Sequence, residues 1–61
     1  MLKNAERFFK VYASLPLEER KLPIVIIEDE PISWELAHEE ISNETERGEK
    51  ILKMLIELEI L

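Results

Sequence analysis

Apolar residues recur along this chain with helical spacing at both ends and in one unbroken β-branched run between them. Ala5, Phe8, Phe9, Tyr12 and Leu15 follow the spacing i, i+3, i+4, i+7, i+10. That period predicts a helix over residues 4–15, with Asn4 at its N-cap. Lys3, Glu6, Arg7, Lys10 and Ser14 fall on the opposite side. Leu2, Val11 and Ala13 widen the apolar arc to ~200° on a helical wheel, about twice what one partner helix covers. Toward the other end Ile51, Leu52, Met54, Leu55, Ile56, Leu58, Ile60 and Leu61 give a second wide arc. Glu46, Glu49, Lys50, Lys53 and Glu57 cluster on its narrow polar side.

Between these helices the pattern changes. In "SLPLEERKLP", Pro16, Glu18 and Glu19 suit the start of a short helical turn over 16–21, which Pro23 stops. Ile24, Val25, Ile26 and Ile27 form the β-branched run, a strand over about 24–28. "EDEP" then reads as a turn with Asp29 and Glu30 at its corner. Pro31 cannot donate to a ladder, which leaves Ile32 and Ser33 to return antiparallel as a stub. Ser33 caps a middle helix with Glu35 in its first turn, and Trp34, Ala37 and Ile41 share its inner face. Asn43 and Glu46 are spaced as a capping box, which starts the last helix near residue 44. Gly48 sits inside that helix, where glycine costs ~1 kcal/mol relative to alanine and suggests a close crossing. The expected fold class is α+β: one small domain over 1–61, with about three helices and one short strand or hairpin over 24–33.

Size sharpens the expectation. A chain of 61 residues forms one small core at most. Such a chain hides only ~60% of the surface that its unfolded form exposes, so small folds need a staple. There is no cysteine for a disulfide and a single histidine, His38, so zinc is a poor candidate. Association with another chain is the staple left. Apolar residues make up 46% and charged ones 36%, a mixture that favours a folded domain over disorder. No apolar stretch approaches the ~18 residues of a membrane span, and the N-terminus has no continuous apolar secretory core. A cytoplasmic setting is expected. The acids are thirteen Glu and one Asp, and Gln is absent, a usage that fits a thermophilic source.

The net charge of −6 is unevenly spread: residues 1–22 carry +2 and residues 23–61 carry −8. Phosphate would repel most of the chain, which disfavours nucleic acid as a partner. The segment from Ile32 to Leu61 is nonetheless similar in outline to the helix-turn-helix of winged-helix regulators, through Leu36-Ala37, Ile41, Thr45, Ile51, Leu55 and Ile60-Leu61. A strand followed by two helices also resembles ribbon-helix-helix dimers. Either resemblance implies a small DNA-binding regulator. "LKNAERFF" is similar to the peptide that docks on the DNA sliding clamp through Phe8-Phe9.

Side chains for chemistry are sparse. Glu35 and His38 have the Glu-x-x-His spacing of four-helix carboxylate metal sites, yet Glu35 falls on the outer face. Glu39 and Glu40 are adjacent and point apart, no glycine loop cradles phosphate, and Ser33 reads as a cap rather than a nucleophile. No catalytic, cofactor or metal site is assigned. The reading is a non-enzymatic interaction module, a homodimer or a small subunit of a larger complex. Its expected contact residues are Ile24, Val25, Ile26 and Ile27 from the strand, Leu52, Ile56, Ile60 and Leu61 from the last helix, and Phe9 and Ala13 from the first.

Overall fold

The computed structural model describes all residues 1–61. The elements run α1 (Ala5–Ser14), a 3₁₀ turn (Glu19–Lys21), β1 (Pro23–Ile27), β2 (Glu30–Ser33), α2 (Trp34–Ser42) and α3 (Glu46–Glu57). This is a small α+β domain of three helices and one antiparallel hairpin. No helix is long and apolar enough to cross a membrane.

The hairpin is longer than the expected stub. Val25 pairs with Ile32, Ile26 with Pro31 and Ile27 with Glu30, so the loop is the two residues Glu28 and Asp29. Both are left-handed, at φ 51° and 66°, as a type I′ turn requires. A two-residue loop closes on a hydrogen-bonded pair, here Ile27 and Glu30, and bonded and non-bonded pairs alternate along the ladder. Pro31 therefore lands at a non-bonded position, where its missing N–H breaks no ladder bond. Nearer the strand start the register shifts between Pro23 and Val25, which leaves Ile24 as the extra residue of a β-bulge.

Both junctions around α2 are fixed by side chains. The Ser33 hydroxyl accepts from the Leu36 N–H at 3.1 Å, the cap that the sequence indicated. At its C-terminal end α2 stops in a Schellman motif: Glu44 is left-handed at φ 54°, its N–H donates to the Ile41 carbonyl at 3.1 Å, and the Thr45 N–H donates to the Glu40 carbonyl at 3.2 Å. Asn43 is thus the C-cap of α2, not the N-cap of α3. Thr45 takes that role, accepting from the Gly48 N–H at 2.9 Å while its hydroxyl donates to a Glu40 carboxylate oxygen at 3.1 Å. Asn4 does precede α1, but in a left-handed conformation without a side-chain cap bond.

The core joins one face of the hairpin to all three helices. Phe8, Ile32, Ile41, Ile51 and Leu55 are its largest fully buried side chains, and no polar or charged residue is buried. The wide apolar arcs on α1 and α3 are largely spent inside the chain. On α3, Ile51, Leu52 and Leu55 are buried, while Met54 and Ile56 pack at the margin of the core. α3 lies against α2 on one side and β1 on another, so its wide arc is used on two flanks. Gly48 marks the α2–α3 crossing: a Cβ there would overlap the Glu40 carbonyl oxygen and stand 2.9 Å from the Ile41 nitrogen.

Candidate functional site

The strand run that looked uniform in sequence is divided by the pleat. Val25 and Ile27 face the core and are buried, whereas Ile26 points away and is 68% exposed. Ile24, at the bulge, is half-buried. The side chains of Val25 and Ile27 are occupied within the chain, which leaves only their backbone for the strand pairing that the sequence led us to expect. Leu52 is a correction: it is 3% exposed on the inner side of α3 and is spent in the core. Cross-strand partners share a face, so exposed Pro31 stands beside Ile26 on the outer side of the hairpin. Leu22, just before β1, is also exposed, at 58%.

The two edges of the hairpin differ. Inward groups of β1 face β2, and by alternation the N–H and C=O of Ile26 point to the outer edge. The sheet has only these two strands. No backbone bond outside the helices and the hairpin, and no side-chain bond, ends on Pro23–Ile27. The outer edge of β1 is open. The outer edge of β2 carries Pro31, which offers no donor there and blunts it. Sequence alone indicated the strand but could not tell which edge was free, because that depends on the loop register.

A second surface lies between the N-terminal segment and α3. It is an open groove of about 620 Å³ with Leu2, Leu52 and Ile56 on its floor and Lys3, Glu49, Lys53 and Glu57 on its rim. A smaller hollow of about 290 Å³ lies where the end of β1 meets α3, lined by Ile27, Glu28, Lys50, Lys53, Met54 and Glu57. Ile56 is half-buried in the last turn of α3, but the helix ends at Glu57 and Glu59 turns left-handed at φ 59°, so exposed Ile60 and half-buried Leu61 lie beyond the helix rather than on it, a correction to the sequence expectation. Phe9 and Ala13 are not brought to either surface. Ala13 is exposed on α1, and Phe9 stands edge-on to His38 with ring centroids 5.4 Å apart.

His38 belongs to an aromatic stack. Its ring lies on Tyr12 at 4.3 Å, and the Arg20 guanidinium sits 4.4 Å from the centre of the Tyr12 ring. Glu35 is exposed on α2, and no group of three metal-ligating side chains occurs anywhere in the chain. Phe8 is fully buried and packs at a 31° tilt against Trp34, ring centroids 5.7 Å apart, so the clamp-peptide resemblance loses its leading aromatic to the core.

α2 and α3 are joined by a short turn and approach closely at Gly48. The charges at this corner are paired within the chain. Arg47 forms an ion pair with Glu30 at 2.7 Å, and this close contact with the carboxylate raises the guanidinium pKa above its ordinary value. Lys50 approaches Glu28 at 3.3 Å. The cations at the start of α3 are thus turned toward the acidic hairpin tip. No protein family, characterised protein or solved structure matches this chain.

Proposed function

We propose that the chain is a non-enzymatic interaction module of the cytoplasm that works by pairing with another polypeptide, as a homodimer or as a small subunit. One observation carries this reading: β1 ends the sheet with an unpaired edge, and Ile26 on that edge is 68% exposed. An open edge is a template for strand addition, in which backbone bonds supply affinity and side chains supply selectivity.

Light scattering tests the reading on the purified chain and on tagged chain recovered from its source cells. A species larger than the 7.2 kDa monomer in either sample supports it. A lone monomer in both overturns it.

The short turn and the Gly48 crossing favour a second reading, a DNA-binding regulator. Retention on duplex DNA that falls steeply with salt would establish it. Elution at low salt would remove it.

A further inference from the structure

Resting on the interaction reading, we infer that the polypeptide filling the β1 edge is a second copy of this chain, paired antiparallel about a twofold axis near Ile26. Within two residues of the strand the charges differ in sign, with Glu18 and Glu19 set further back in the preceding turn. Lys21 stands exposed just before β1, and Glu28 and Asp29 stand exposed just after it. A parallel copy would set like charge against like. An antiparallel copy sets Lys21 of each chain toward the acidic tip of the other, and the twofold makes the match twice. Charges of opposite sign across paired strands stabilise, and like charges opposite one another destabilise.

The same axis meets the other demands of this surface. It pairs the outward N–H and C=O of Ile26 and lays the two exposed Ile26 side chains together on one face of a four-stranded sheet. Only β1 can serve, because Pro31 blunts β2. Residues opposite each other in an antiparallel pair share a face, so both copies of α3 lie on the other side of the joined sheet. The surface is thus complementary to itself in backbone, apolar side chains and charge.

The test is the dimer dissociation constant by sedimentation velocity, with helical content followed by circular dichroism. Wild-type chain is expected to dimerise, and Ile26→Lys to raise the constant about tenfold or more, which corresponds to roughly 1.4 kcal/mol. Lys21→Glu and Asp29→Lys are each expected to weaken the dimer, and the double exchange to restore it. Both sites are exposed, so the exchange reports even if Ile26→Lys disturbs the fold. A dimer indifferent to all three changes overturns the inference and leaves the interaction reading standing on another surface. A purified chain that stays monomeric overturns it too, and the reading then survives only if the chain from cells is bound to a different protein.

Discussion

Replacing Gly48 with alanine sets two effects against each other, and the structure decides the sign. Alanine is the better helix former by ~1 kcal/mol, so a freely exposed Gly48 would gain from the change. Here the added Cβ would overlap the Glu40 carbonyl oxygen, 2.6 Å from its carbon and 2.9 Å from the Ile41 nitrogen. Carbon contacts are comfortable at ~3.5–4.0 Å, so α2 and α3 must separate by roughly an ångström. The obstacle is backbone, which cannot swing aside like a side chain. Separation also loosens the Thr45 hydroxyl, which bonds Glu40 on α2 and the Gly48 N–H on α3. Overpacking costs ~1–3 kcal/mol, occasionally more, and rigid backbone places this site at the upper end. A net loss of about 2 kcal/mol is expected. In a domain of this size that lowers Tm by roughly 8–16 °C. Urea and thermal unfolding, followed by Trp34 fluorescence and far-ultraviolet circular dichroism at one fixed protein concentration, measure it. Lys50→Ala, exposed on the same helix, is the control and should stay within ~0.5 kcal/mol. A Gly48→Ala chain as stable as wild type, or more so, would refute the close crossing of α2 and α3.

Two further substitutions probe the chain's local geometry. Placing Asn-Gly at Glu28-Asp29 should stabilise the hairpin by about 1 kcal/mol, because left-handed backbone costs ordinary residues ~1–2 kcal/mol and the exposed Lys50–Glu28 pair contributes little. The urea midpoint reports it, and no gain would speak against the type I′ loop. Thr45→Ala should cost ~1–2 kcal/mol through loss of the α3 cap, whereas Asn43→Ala should cost less; the reverse order in thermal melts would return the cap to Asn43.

Much of the helical architecture was legible because its signals are local. The apolar period of α1 and the Ser33 cap each act within a turn or two of chain. The hairpin is less legible because "EDEP" looks like a broad corner. It is a two-residue loop, since Glu28 and Asp29 both accept left-handed backbone and Pro31 falls where no ladder bond is missed. The cap of α3 was misplaced because Asn43 satisfies the same spacing rule as Thr45, and the Schellman end of α2 takes Asn43 first. At the candidate site the sequence identified the strand and not its sidedness. Ile24 through Ile27 are all β-branched, so composition cannot say that Val25 and Ile27 turn inward while Ile26 turns out. The wide apolar arc of α3 suggested uncovered surface, but contacts with both α2 and β1 consume most of it. What stays open is an edge defined by backbone bonding, and backbone bonding leaves no direct mark on residue type.

Pairing of the free β1 edge with a second copy of the chain is tested most directly by amide hydrogen exchange at Ile26, read by nuclear magnetic resonance over a dilution series. Val25 and Ile27 face β2 and should be protected at every concentration. Ile26 should be protected in concentrated solution and exchange freely on dilution, as pairing with a second chain requires. Free exchange at Ile26 at all concentrations, beside protected neighbours, would contradict the account.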